Sequence, residues 1–337
     1  MRAAVIGAGG WGTALATLLV SAGHGVCLWV RRPALCEQLR RERENPLYLP
    51  GVPLPGTLTY TSSLVEAAAA AELLVLAVPS HAMRAVASAL APGVPGAPLM
   101  VSTSKGIEEE TLQTMSAVLT ETFGESLSAR IAVLSGPSFA AEVARGLPTA
   151  VTVASATETV ADVVQRIFSS SRFRVYTTTD LIGVEVGGSV KNVIALAAGV
   201  SDGLGCGYSA RAALITRGLA EMTRLAVRMG AEPQTLSGLS GMGDLVLTCT
   251  SNLSRNHRVG VRLGQGEQIA TVLQGMPMVA EGVRTCRSVF ALARRLGVEM
   301  PIVEQVYALL YADKPPHQVV ADLLAREVKP EFSRRQN

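Results

Sequence analysis

Two lysines stand out in a chain that otherwise makes its positive charge from arginine. Of the 30 basic residues 26 are arginine, and the four lysines are Lys105, Lys191, Lys314 and Lys329. Lys314 in "ADKPPHQ" and Lys329 in "EVKPEF" lie in polar, proline-rich surroundings that read as surface. Lys105 in "VSTSKGIEE" and Lys191 in "EVGGSVKNVIALAAGVSDG" sit among small and apolar residues. A guanidinium stays protonated in a protein, whereas an amine gives up its proton when it is buried or crowded by charge. Proton transfer is therefore the chemistry these two positions suggest.

Polar residues cluster around both. Asn192 adjoins Lys191, and Gly187-Gly188 before it would let backbone come close to a ligand. In "SGMGDLVLTCTSNLSRNHRVG", Asp244 and Thr248 are four apart and share a face if that run is helical. Ser254, Arg255 and Asn256 precede a helix-like run and offer a hydroxyl, a bidentate guanidinium and an amide, a set suited to a phosphate. Taken singly, each reads equally well as a cap or a surface group. Lys105 follows the strand-like "LMVST" and precedes "GIEEE", which reads as a helix start. "LSGPSFAAE" repeats that arrangement, with Gly136-Pro137 in the turn and Ser138 opening a helix, where an N-cap is the alternative reading.

A third feature is a phosphate-binding turn. "AAVIGAGGWGTALA" spaces Gly7, Gly9 and Gly12 as G-x-G-x-x-G between a strand and a helix. The first glycine permits a tight turn, the second lets backbone approach a pyrophosphate, and the third lets helix and strand pack closely. The helix N-terminus then presents free N–H groups to the phosphates. An NAD site has an acidic residue about 20 positions on, for the ribose 2′-hydroxyl. Here "VCLWV" is followed by Arg31 and Arg32, with no carboxylate before Glu37, which favours NADPH over NADH unless both are plain surface arginines. "LVLAVPSHAM" places Pro79 at another strand end, where backbone would face the cofactor; His81 beside it reads as a polar contact and is set aside.

The elements that must position these groups fall into two sets. Strand-like runs at Ala3–Ile6, Val26–Val30, Leu73–Val78, Leu99–Thr103, Ile131–Leu134, Ala150–Val153 and Phe173–Tyr176 alternate with helical patterns such as Thr13–Ala22 and Thr111–Thr122. That alternation predicts an α/β Rossmann-type domain over residues 1–183, with a mostly parallel sheet covered on both faces. From there the pattern is helical, predicting an all-α substrate and catalytic domain over 184–337, its tail frayed from about residue 329. "ENPLYLPGVPLP" has four prolines in its dozen residues and is expected to be a loop bordering a ligand.

Composition excludes several classes. A formal net charge of +3 with no basic run interleaved with aromatics argues against nucleic acid. Five scattered cysteines without a C-x-x-C pair fit a reducing compartment, and neither a disulfide framework nor a metal site. No signal peptide is evident, and the longest apolar run, "AAAAAELLVLAVP", is too short to span a bilayer. The expectation is a cytoplasmic protein with no membrane span.

Together, "GAGGWGTALA", "NPLYLPG", "SKGIE", "LSGPSFAAEV", "VGGSVKNVIALAAGVSDGLG", "ARAALITRGLAEM", "LSGMGDLVLTCTSNLSRN" and "VAEGVRT" resemble bacterial NAD(P)-dependent glycerol-3-phosphate dehydrogenases, in the right order from about Arg2 to Ala325. The resemblance implies reversible reduction of dihydroxyacetone phosphate to sn-glycerol 3-phosphate, which supplies phospholipid synthesis. It implies that Lys191 is the general acid/base and that Lys105 contacts cofactor and substrate. Gly136, Ser138, Asp244, Ser254, Arg255 and Asn256 match substrate-contacting positions. Gly10, Trp11, Arg31, Arg32, Tyr48, Ala140, Arg255, Val279 and Glu281 match positions that line the dinucleotide. Two departures fall at positions that carry none of the chemistry and bear at most on loop detail: Tyr208-Ser209 where the family often has asparagine, and His257 where arginine is frequent. A β-hydroxyacid dehydrogenase also joins these two kinds of domain, but has asparagine four residues after its lysine, where this chain has Ala195. A non-enzymatic dinucleotide sensor would keep the glycine turn without needing both lysines, Asp244 and Arg255. The alanine-rich helices of the second half suggest a homodimer.

Overall fold

The computed structural model describes residues 1–94, 96–274, 276, 280–328 and 330–331. Ten strands occur among these: β1 (Arg2–Ile6), β2 (Gly25–Trp29), β3 (Glu44–Asn45), β4 (Leu49–Pro53), β5 (Thr59–Thr61), β6 (Leu73–Leu76), β7 (Leu99–Ser102), β8 (Ile131–Ser135), β9 (Thr149–Ser155) and β10 (Phe173–Thr178). Eight form one sheet in the order β10-β9-β8-β7-β6-β1-β2-β5. Every pairing in it is parallel except β8 with β9. Successive residues of β1 face opposite layers. Ala3 and Val5 pack with the helices Gly10–Ser21, Pro33–Glu42 and Glu158–Phe168; Ala4 and Ile6 pack with Met83–Leu90 and Met115–Phe123. Two-sided burial is why these strands read as continuous apolar runs.

From β1 the chain runs outward to β2 and β5, then returns to the other side of β1 as β6. The carboxyl ends of β1 and β6 flank that switch point, where an open α/β sheet forms its ligand crevice. The proline-rich segment differs from expectation. It folds into the two-stranded antiparallel ladder β3–β4, separate from the main sheet, because prolines are tolerated where the N–H of an edge strand is not needed.

After β10 no strand occurs among the described residues. The helix Leu181–Gly203 is the axis of the second half, and every residue from Gly183 to Ser201 is buried. It is long and apolar enough to cross a membrane by length and composition, which the sequence reading overlooked, but its apolar surface is covered by protein. A helix buried on all sides needs no polar face. Its partner is Arg255–Gly264, and glycines set the crossing. A Cβ at Gly199 would lie 2.1 Å from the His257 carbonyl oxygen, and one at Gly260 2.1 Å from that of Leu196.

Candidate active site

One cavity of about 700 Å³ runs along the carboxyl edge of the sheet and into the helical half. At one end is the glycine turn. Gly7 has φ +120°, and a Cβ there would meet the Ala77 carbonyl oxygen at 2.6 Å; one at Gly12 would meet the Gly7 carbonyl oxygen at 1.9 Å. Both must be glycine for β1, its helix and the β6 loop to come together. A Cβ at Gly9 would meet nothing within 4 Å, so space stands open above the N-terminus of Gly10–Ser21, whose first turn has no acidic residue. That opening fits the pyrophosphate of a dinucleotide. Gly7, Gly9, Gly10, Trp11, Tyr48, Pro79 and Ala140 line the cavity, whereas Gly12 is buried behind it.

Arg31 and Arg32 follow β2, are exposed and also line the cavity. Arg32 donates to the Tyr48 hydroxyl at 3.2 Å, with its guanidinium carbon 5.7 Å from that ring's centroid. The hairpin β3–β4 holds Tyr48 in place, and buried Asn45 ties it back to the turn by donating to the Ala8 carbonyl at 3.0 Å and to Thr13 Oγ1 at 2.9 Å. The segment expected as a border loop is thus an anchored wall.

At the other end the two lysines meet over one carboxylate. Lys191 Nζ donates to Asp244 Oδ1 at 2.6 Å and to Thr248 Oγ1 at 2.7 Å. Lys105 Nζ donates to Asp244 Oδ2 at 2.6 Å and to the Gly136 carbonyl at 3.2 Å. Asp244 and Thr248 do share a face, of the helix Asp244–Thr250, and Thr248 also donates to the Asp244 carbonyl at 2.6 Å. Burial drives the Lys191 ammonium down from 10.5 to about 8; Asp244 opposes this, and the charge of Lys105 adds to it. Two of the three Nζ protons have protein acceptors, which leaves one for a ligand in the cavity that Lys191 lines.

The third group sits at the start of the helix Arg255–Gly264. Ser254 is its N-cap and accepts from His257 N at 3.2 Å. Asn256 is buried, accepts from Gly282 N at 3.0 Å and donates to Asn192 Oδ1 at 2.9 Å. That bond fixes the register of this helix against Leu181–Gly203. Arg255 lines the cavity, as does Glu281, which accepts from Ser80 Oγ at 2.7 Å. Val279 lies outside the described residues.

Three local readings change. The stretch after Lys105 is no helix: Ile107 and Thr114 form an isolated antiparallel bridge and the helix begins at Met115. Ser138 does not cap the next helix, whose N-cap is Phe139; its hydroxyl donates to the Gly136 carbonyl at 3.0 Å. Gly187 and Gly188 make room for protein: a Cβ on the first would lie 2.6 Å from the Ser240 carbonyl oxygen, and one on the second 2.7 Å from Ser135 Oγ. Gly136 stands behind the cavity and contributes its carbonyl to Lys105, while Ser138, Asn192, Ser254 and Asn256 border it. His81, set aside earlier, lines the cavity, with burial and then Arg284 lowering its pKa. Arg145, Phe139, Leu253 and Arg258 were missed. Arg258 was within reach, since helical spacing from Arg255 puts it on the same side.

Two family models match the chain: NAD-dependent glycerol-3-phosphate dehydrogenase N-terminus over residues 2–161, and the C-terminus of the same family over residues 180–321. A protein named glycerol-3-phosphate dehydrogenase [NAD(P)+] from Geobacter sulfurreducens is 55% identical over 330 residues, covering 98% of each chain. One of the same name from Syntrophotalea carbinolica is 55% identical over 332 residues, covering 98% of this chain and 100% of that one. The crystal structure of a glycerol-3-phosphate dehydrogenase from Coxiella burnetii superposes with a TM-score of 0.92 at 40% identity, covering 96% of this chain and 99% of that one. A ketopantoate reductase from Ralstonia eutropha, 15% identical with a TM-score of 0.61, shares the fold.

Proposed function

The chain belongs to the NAD-dependent glycerol-3-phosphate dehydrogenase family, and on that premise we propose that Lys191 is the proton donor and acceptor of its reaction. The protein is an NAD(P)-dependent oxidoreductase that interconverts dihydroxyacetone phosphate and glycerol 3-phosphate. The observation that carries the assignment to Lys191 is the bridge Lys105–Asp244–Lys191 on the wall of the cavity that begins at the glycine turn.

Gly7, Gly9, Gly10, Trp11, Tyr48, Pro79, Ala140 and Glu281 would hold the dinucleotide, which would supply the hydride. Negative charge then grows on the substrate's C2 oxygen, and Lys191 gives that oxygen its remaining proton; in the oxidation it takes the proton back. Asp244 and Thr248 hold the amine in place. Lys105, with Asn192 and the Gly136–Ser138 loop, orients the substrate, and Ser254, Arg255 and Asn256 take its phosphate. Arg31 and Arg32, exposed on the cavity wall after β2 with no carboxylate before Glu37, support NADPH as the preferred donor.

For the division expected at 183/184, we move the boundary to Asp180, the N-cap of the helix Leu181–Gly203, with the dinucleotide-binding domain before it and the helical substrate domain after it. We further propose a cytoplasmic homodimer that supplies glycerol 3-phosphate to phospholipid synthesis. The exposed Ala212, Ala213 and Thr216 of the helix Gly207–Arg228 offer a close-packing face for a second copy, which sedimentation tests.

The functional test compares NADPH and NADH oxidation with dihydroxyacetone phosphate by wild type and Lys191→Arg. The arginine keeps the charge but is too weak an acid to release a proton at working pH, so kcat should fall by about 10²–10⁴ while NADPH binding, followed by fluorescence, persists. A Lys191→Arg enzyme with near-normal kcat would move the proton transfer elsewhere.

A further inference from the structure

We propose that Arg258 is a second guanidinium of the substrate-phosphate subsite, an outer one that engages the phosphate dianion together with Arg255. The proposal rests on the functional reading above and deepens it. The two arginines are three residues apart on the ten-residue helix Arg255–Gly264, and so lie on adjacent turns of one side. Both line the cavity that Lys191 and Asp244 also line. They are close enough for the charge of Arg258 to work against protonation of Arg255.

Chemistry at the start of this helix leaves a place for a second cation. The oxygen of Ser254 caps the helix, and the amide of Asn256 is engaged by Asn192 and Gly282. Those groups help to shape the subsite but bring it no charge. Arg255 does bring charge, yet the Glu281 carboxylate acts on it and offsets part of it. A phosphate dianion entering there meets less than its own charge in compensation. Arg258 is exposed, and among the described residues no carboxylate lies within ion-pair distance of it. Two neighbouring guanidiniums repel each other until an anion lies between them, and a phosphate accepts from both forks. Because Arg258 is at the rim, it acts first on capture of the substrate and not on the hydride step.

The test uses the full-length protein as wild type, Arg258→Ala, Arg258→Lys and Arg166→Ala. Arg166 is an exposed arginine on the helix Glu158–Phe168, outside the cavity, and controls for loss of one bulk charge. Arg258→Ala is expected to raise the KM for dihydroxyacetone phosphate by about tenfold while leaving kcat and the KM for NADPH within about twofold. Arg258→Lys should recover part of that loss and Arg166→Ala should show none. A KM for the substrate within about twofold of wild type, an equal rise for NADPH, or an equal effect of Arg166→Ala would overturn the proposal. Calorimetric titration with inorganic phosphate separates the two levels of inference. If wild type failed to reduce dihydroxyacetone phosphate, weaker phosphate binding by Arg258→Ala would still support the subsite, and unchanged binding would sink it.

Discussion

The role proposed for position 191 asks for a group that is charged when the carbonyl oxygen needs a proton and able to lose that proton afterwards. An ammonium in water holds its proton too tightly near neutral pH; burial weakens that hold, and a single carboxylate keeps the buried charge tolerable. Asp244 does this for two lysines at once, so each of the three charges depends on the other two. The pH dependence follows from this balance. With Lys191 at about 8, the proposed role has kcat/KM for dihydroxyacetone phosphate reduction, using the ammonium, fall as pH rises through that value, whereas oxidation of glycerol 3-phosphate, using the free amine, should rise. Asp244→Asn removes the charge that raises the Lys191 pKa, so the falling limb of the reduction profile should move to lower pH, with activity reduced at pH 8. A limb that stayed put or moved upward would assign the titration to another group. Both measurements are steady-state pH profiles of kcat/KM.

Elements hold these residues to within hydrogen-bond distances, and glycine decides how closely they pack. The helices Leu181–Gly203 and Arg255–Gly264 cross with their backbones nearly touching at Gly199, Gly203, Gly260 and Gly264, and the Asn192–Asn256 bond lies further along that seam. In an isolated helix Gly199→Ala would gain roughly 1 kcal/mol. Here the added Cβ would lie 2.1 Å from the His257 carbonyl oxygen and 2.9 Å from the Gly260 Cα, both backbone atoms of the partner helix. Overpacking of that kind costs about 1–3 kcal/mol or more, and the strain outweighs the propensity. Gly199→Ala should therefore lower the thermal midpoint by several degrees, and it should raise the KM for dihydroxyacetone phosphate because the helix that carries Arg255, the proposed phosphate ligand, must shift. Calorimetry and steady-state kinetics on one preparation check both; an unchanged midpoint would mean that the two helices can separate without loss. The crossing could not be read from the sequence. GxxxG spacing was visible in the run around Gly199, but its partner glycines lie some 60 residues away.

For the molecule as a whole, the site lies along the seam between the sheet and the helical half. Contacts that cross it include Lys105 with Asp244, Ser80 with Glu281, and Ser116 N with the buried carboxylate of Glu185 at 2.8 Å. Seven basic side chains line the cavity against two carboxylates, although the chain has 30 basic and 27 acidic residues overall. The near-neutral protein thus concentrates its positive charge where two polyanionic ligands must enter. Such a field speeds the encounter and is screened by salt. Raising ionic strength from about 0.01 M to 0.15 M, which shortens the screening length from about 30 to 8 Å, should lower kcat/KM for dihydroxyacetone phosphate several-fold and leave kcat nearly unchanged. A salt-independent kcat/KM would show that entry is not steered.

The sequence by itself determined the two halves and most of their strands, the glycine turn and the two unusual lysines, but not β5 or the β3–β4 ladder. These follow from local rules: apolar periodicity, the G-x-G-x-x-G spacing of Gly7, Gly9 and Gly12, and the scarcity of lysine where arginine is the default. The resemblance carried by its motifs fixed the family. Only the tertiary structure decided that Asp244, more than 50 residues from Lys191 and almost 140 from Lys105, bridges the two. It also decided that Gly187 and Gly188 admit protein instead of ligand, that the proline-rich segment is a braced hairpin, and that Arg258 shares the cavity with Arg255. Each of these is a matter of which distant backbone comes close. Neighbour preferences along the chain have no term for that, whereas packing around Leu181–Gly203 and the sheet edge does.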